Sequence, residues 1–180
     1  MLYITVPGIE LWDEKTQQFK EEKETVLQLE HSLVSLSKWE SKWIKPFLSN
    51  KEKTDEEVLD YIKCMTLTQN VKPDVYDRLT SENVKQIQNY ISSPATATTF
   101  SNDKTTKKST EIVTSELVYY WMTALSIPFE CQKWHLNRLL TLIRICNIKN
   151  APPKKMSKRE TMSRYQALNA ARRKQLNSRG

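Results

Sequence analysis

Only two glycines occur in the 180 residues, Gly8 and Gly180, against an ordinary usage of about 7%. This scarcity excludes the folds whose chemistry is written in glycine. Neither the dinucleotide-binding fingerprint nor the nucleoside-triphosphate loop can be built without internal glycines, because both bring backbone close to phosphate. The strained strand-to-helix elbow that carries a nucleophilic serine is excluded for the same reason. Hydrophobic residues make up 38% of the chain and charged residues 27%, which provides for one domain with a modest core.

The periodicity predicts a mainly α fold with a small N-terminal antiparallel β element, a helical core containing an α-hairpin, and a basic C-terminal helix. Residues 1–6 (MLYITV) are β-branched and aromatic, and Pro7-Gly8 stops them. A charged stretch over 12–23 then leads to residues 25–30 (TVLQLE), for a sheet of two or three strands. From Ser32 the spacing changes to three and four, through Leu33, Leu36, Trp39 or Glu40, and Trp43, until Pro46 weakens the end. Thr54-Asp55-Glu56-Glu57 has the form of a capping box and opens a second helix running to about Thr66. Pro73-Asp74 breaks the pattern, and Ser81 begins a third helix through Val84, Ile87, Tyr90 and Ile91.

Residues 1–91 therefore read as the β element plus helices, and residues 92–108 as a flexible linker, rich in threonine, serine and lysine and nearly devoid of large apolar side chains. Residues 109–150 are the most apolar part, read as an α-hairpin packed on the N-terminal portion. Its first helix spans 117–125, its turn 126–128, and its second helix runs from Cys131 to Cys146. Pro152-Pro153 ends it. Residues 151–180 form a basic helical tail that opens with a second capping box, Ser157 to Glu160.

Charge is concentrated in that tail. Residues 1–100 hold 12 basic and 16 acidic side chains, residues 101–150 hold 7 and 4, and residues 151–180 hold 9 and 1. The net charge of +7 thus belongs to the tail, and attraction to an acidic partner belongs to Lys154, Lys155, Lys158, Arg159, Arg164, Arg172, Arg173 and Lys174. No identifiable base-reading motif accompanies them, so any nucleic-acid contact would be independent of sequence.

The three cysteines, Cys64, Cys131 and Cys146, are widely spaced in apolar company and suit buried thiols rather than disulfides. No stretch reaches the ~18 apolar residues of a membrane span, and the N-terminus lacks the pattern of a secretion signal. Cys131 and His135, four apart on the expected second helix of the hairpin, would share a face and could ligate a metal, yet the other ligands a zinc site needs lack paired spacing. No cofactor or metal is expected. The same pair lacks an orienting third group for catalysis, and Glu56-Glu57 is accounted for by helix-terminus electrostatics. An enzyme is not expected. Trp39, Trp43, Trp121 and Trp134 each fall on an apolar face, as core bulk or as anchors of an exposed groove.

The stretch Tyr119-Tyr120-Trp121-Met122, then Ile127-Pro128-Phe129-Glu130-Cys131 and residues 134–146 (WHLNRLLTLIRIC), closing on the basic run 170–177 (AARRKQLN), resembles the tail assembly chaperones of tailed bacteriophages. The likeness is best over residues 117–176. It implies a non-enzymatic factor of the host cytoplasm that binds the tape measure protein, keeps that long helical chain soluble and assists polymerisation of the tail-tube protein around it. A hydrophobic groove for such a partner would come from Trp121, Met122, Trp134 and Leu139, with the 92–108 segment letting it open. The alternative is a virion structural protein, or a sequence-independent nucleic-acid binder, acting through the basic tail.

Overall fold

The computed structural model describes residues 1–13, 17–100, 111–152 and 158–177. Helices make up 55% of the described residues, so the fold is mainly α, with the described strands confined to the N-terminus. Four short strands, β1 (Leu2–Val6), β2 (Ile9–Asp13), β3 (Gln18–Glu22) and β4 (Thr25–Leu29), form two antiparallel pairs. β1 lies on β4 from Leu2 opposite Leu29 to Val6 opposite Thr25, and β2 lies on β3 from Ile9 opposite Glu22 to Asp13 opposite Gln18. The register is the same on both sides of the interruption, so the four strands make one long ribbon with a waist at Pro7-Gly8 and Lys23-Glu24.

The charged stretch 12–23 is therefore not a lead-in; residues 9–13 and 18–22 are the far half of the ribbon. The near half shows burial alternation, with Ile4, Val6, Leu27 and Leu29 turned to the core. The far half exposes Ile9, Trp12 and Phe19. Beyond β4, residues 65–68 run alongside as an irregular third partner: Glu30 N–H donates to the Met65 carbonyl at 2.9 Å and Leu67 N–H to the Gln28 carbonyl at 2.8 Å.

Helix α1 (Leu33–Trp43) starts at Ser32, whose side chain accepts from the Ser35 amide while Ser35 reciprocates to the Ser32 amide. It ends at Ile44, which is left-handed at φ 52°. α2 (Asp55–Met65) opens on the capping box of Thr54 and Glu57 that its sequence spells out. A single turn, α3 (Asp74–Asp77), follows Pro73, and α4 (Ser81–Ser92) is capped by Thr80 with Asn83. α5 (Ser115–Ala124) is capped by Thr114. The chain then turns through Ser126 into a short 3-10 helix (Phe129–Lys133) and on into α6 (Leu136–Asn150).

The second helix of the expected hairpin thus begins at Leu136 rather than Cys131. Pro128 opens the 3-10 turn, and Trp134 is extended at ψ 163°, which breaks the run. The amide of Leu136 donates to the carbonyl of His31 at 2.7 Å, so the start of α6 is fastened to the junction of β4 and α1. Of the expected linker, residue 92 ends α4 and residues 93–100 are irregular. Asn137 Nδ2 on α6 donates to the carbonyls of Ile91 and Ser93 at 3.0 and 2.7 Å, and Arg144 lies 4.0 Å from the Phe100 ring centre. The remainder of that linker, 101–108, lies outside the described residues.

Two hydrophobic clusters flank α1. One joins the inner face of β1 and β4 to α2, α3 and α4 through Trp39, Tyr61, Ile62, Met65 and Ile87. The other joins Leu33 and Leu36 to Val118 and Met122 of α5, Cys131, and Leu136, Leu139 and Ile143 of α6. The chain divides into two compact units, Met1–Asn147 and Ile148–Gly180; the second contains the last turn of α6 and the helix α7 (Lys158–Leu176).

At the waist of the ribbon a Cβ on Gly8 would lie 2.6 Å from the Glu22 carbonyl oxygen and 3.1 Å from the Glu24 nitrogen, both backbone atoms. Gly8→Ala must therefore part the strands. Amide exchange in β2 and β3 is expected to rise about tenfold, equivalent to ~1.4 kcal/mol of local stability, with α1 amides unaffected, as read by hydrogen-exchange mass spectrometry.

Candidate functional site

The titratable side chains that suggested chemistry are arranged as structure. Cys131 sits in the 3-10 helix and His135 precedes α6, so the shared helical face expected for a metal pair does not exist. Nε2 of His135 is 3.0 Å from the Tyr90 carbonyl, to which it must donate, and Nδ1 accepts from the Asn137 amide at 3.3 Å. Both nitrogens are satisfied in one neutral tautomer, leaving no lone pair for a metal. The other histidine, His31, packs edge-on against it with ring centres 5.1 Å apart, and its Nδ1 is 2.5 Å from the Tyr61 hydroxyl. Among the described residues no group of three or more His, Cys, Asp or Glu side chains is gathered as a metal would require.

Burial, with a smaller contribution from His135, lowers the pKa of His31 to about 4. Burial likewise raises the Tyr61 hydroxyl and the Cys64 thiol, so Cys64 is disfavoured as a thiolate. Glu57, suggested as half of a carboxylate pair, accepts from Lys45 Nζ at 2.5 Å and from the Thr54 amide at 3.0 Å, which lowers its pKa. Burial opposes ionisation of Asp60, but Lys42 and the Trp43 indole N–H, 2.9 Å away, outweigh it and hold the carboxyl below its ordinary range.

Glu40, a carboxylate that shares the apolar spacing of α1 with Trp39, is only 6% exposed. One carboxylate oxygen accepts from the Phe47 amide at 2.8 Å and the other from the Ser115 amide at 2.7 Å, which ties the end of α1 to the first turn of α5. Glu30, also buried, accepts from the Tyr90 hydroxyl at 2.7 Å. The only sequence signal for such residues is a carboxylate interrupting an apolar stripe.

The four residues expected to line an apolar groove divide into two kinds. Met122 and Leu139 have no exposed surface: they fill the second cluster from α5 and α6, and cannot be presented to a partner by the folded chain. Trp121 and Trp134 are half-buried against the same cluster, with Arg138 stacked 4.3 Å from the Trp134 ring centre. Trp39 is core, its indole N–H donating to the Glu57 carbonyl at 2.9 Å. The apolar surface here is carried instead by Tyr120 and Phe129, 65% and 54% exposed. Their neighbour Tyr119 donates to Gln132 at 2.9 Å, bracing α5 against the 3-10 helix.

On α7, Lys158, Arg159, Arg164, Arg172, Arg173 and Lys174 are exposed, together with Met162, Tyr165, Leu168 and Leu176. At about 3.6 residues per turn the cations fall on every side of the helix: Arg159 and Arg173 share one side, Arg164 lies opposite, and Arg172 and Lys174 take the flanks. Lys154 and Lys155 lie outside the described residues. No helix of the described residues is long and apolar enough to cross a membrane.

Comparison with protein-family models, curated proteins and solved structures returns no match to this chain.

The buried His31 makes stability depend on pH. Unfolded His31 takes up a proton near pH 6.5, whereas the folded ring stays neutral to about 4. Folding stability is therefore whole above 6.5 and falls through that window at ~1.4 kcal/mol per pH unit, about 3 kcal/mol altogether. Denaturant titrations at pH 7, 5.5 and 4.5 should show this slope, and His31→Gln should flatten it. Asp60 and Glu57, whose pKa values are lowered, add their own loss only at more acid pH.

Proposed function

We propose that this protein is a non-enzymatic assembly factor, a tail assembly chaperone of a tailed bacteriophage that binds the tape measure protein and assists assembly of the tail tube in the host cytoplasm. The observation that carries the reading is the exposure of Tyr120 and Phe129 within the very stretch, 117–176, that carries the resemblance. Large rings left in water in the same stretch as the half-buried Trp121 and Trp134 suit anchors for the apolar face of a partner helix. With Met122 and Leu139 committed to the core, the groove is reduced to its rim residues.

The test is co-expression with a tape measure fragment, scored by the fragment's soluble fraction. Tyr120→Ser with Phe129→Ser removes two exposed rings without opening the core, and loss of two such anchors at ~1–2 kcal/mol each should weaken binding by tenfold or more. An unchanged soluble fraction overturns the proposal.

The six exposed cations of α7 favour a second reading, a virion structural or nucleic-acid-contacting role for the basic tail. If it holds, affinity for duplex DNA falls steeply with salt, log K against log[salt] having a slope of about −0.9 per phosphate neutralised. Deleting residues 151–180 then abolishes binding, and the protein persists in purified particles. Absence from particles together with salt-insensitive binding overturns this reading.

A further inference from the structure

We infer that the far half of the N-terminal ribbon, β2 and β3, is a docking arm for a cationic segment of another protein, separate from the surface around Tyr120 and Phe129 and independent of the chaperone reading. A two-stranded ribbon on its own is marginal in water, and among the described residues no third strand pairs with β2 or β3. The arm nevertheless exposes Trp12 and Phe19, 53% and 70% accessible, directly opposite one another with ring centres 5.0 Å apart in an edge-to-face pair.

The charge beside those rings identifies the occupant. Glu10 lies opposite Glu21 in the register, and each is two residues from a member of the aromatic pair. Side chains alternate along a strand, so Glu10, Trp12, Phe19 and Glu21 occupy one face of the ribbon. Like charges directly opposite in an antiparallel pair destabilise it. No ion pair relieves these two among the described residues; Lys72 instead meets Glu22, at 2.9 Å. A depression of about 540 Å³ adjoins them, lined by four carboxylates, Glu10, Glu21, Glu22 and Glu24, against one cation, Lys23.

Over the described residues of the arm, 9–13 and 17–24, the sequence supplies five carboxylates against two lysines. A second copy of the arm would bring a further opposed pair of carboxylates to the same face and is disfavoured. A lysine or arginine side chain fits on both counts: its cation satisfies the opposed carboxylates, and its stem and charge lie over an open aromatic face. A partner segment alternating basic and apolar residues would engage both pairs together.

The test is a titration of the full chain, isotope-labelled, with a synthetic peptide alternating arginine and leucine, and with a matched peptide in which each arginine is glutamate. Binding of the basic peptide, with shifts confined to β2 and β3 and to the Trp12 indole, supports the proposal, as does failure of the acidic peptide to bind. Glu10→Gln with Glu21→Gln should weaken binding about tenfold and flatten its salt dependence. Because it removes a repulsion, this variant should keep or raise the melting temperature, which keeps the test interpretable if Trp12→Ser with Phe19→Ser disorders the arm. Equal binding of both peptides, undiminished binding by the double glutamine variant, shifts centred away from the arm, or a dimer lost on Trp12→Ser each overturn it.

Discussion

One eleven-residue helix, α1, has to be buried on two sides at once. Trp39 enters the cluster formed with the sheet, α2 and α4, while Leu33 and Leu36 enter the cluster formed with α5 and α6. A helix so enclosed leaves little room for polar groups, and those it carries must find partners inside. Glu40 does so by accepting two backbone amides from segments that follow the helix, one of them in the first turn of α5, where the helix dipole also favours its charge. The carboxylate thus fixes where α5 begins against α1, and with it the position of the second cluster. Without its acceptor, two amides would be stranded in a region where an unsatisfied donor costs ~1–3 kcal/mol.

The start of α6 is fixed from the other end of α1. The His31 carbonyl takes the Leu136 amide, and His135 hydrogen-bonds across to Tyr90 on α4. Glu30, His31 and Ser32 therefore form a short polar junction in which the sheet, α1, α2, α4 and α6 meet. The chain's two histidines are consumed there as hydrogen-bonded rings, and the acid sensitivity traced to His31 originates in the same place.

Local signals were read from the sequence where the determinant is local. Thr54 with Glu57 caps α2 as spelled out, and the three-and-four spacing from Leu33 locates α1, because capping and periodicity act over a single turn. What depends on a distant surface was not readable. The far half of the ribbon reads as a charged lead-in since Ile9, Trp12 and Phe19 are exposed and no apolar alternation marks it out. Cys131 to Cys146 read as one helix because apolar spacing is indifferent to a 3-10 turn, and the break before Leu136 is set by a hydrogen bond to His31, a hundred residues earlier. Periodicity placed Trp121, Met122, Trp134 and Leu139 in apolar company, but only the position of α1 separates Met122 and Leu139, sealed within, from the two half-buried tryptophans.

This division bears on how such a chain can recognise anything. Many aliphatic side chains are drawn into two clusters around α1 and both histidines hold elements together, so on the proposed reading recognition would fall to the rings and charges left outside. These are grouped by sign: carboxylates gather beside Trp12 and Phe19 on the arm, and cations encircle α7. Opposite charges on different segments select different partners and respond to salt through different contacts. On the proposed reading such a chain recruits by surface complementarity, with its interior holding those surfaces in place.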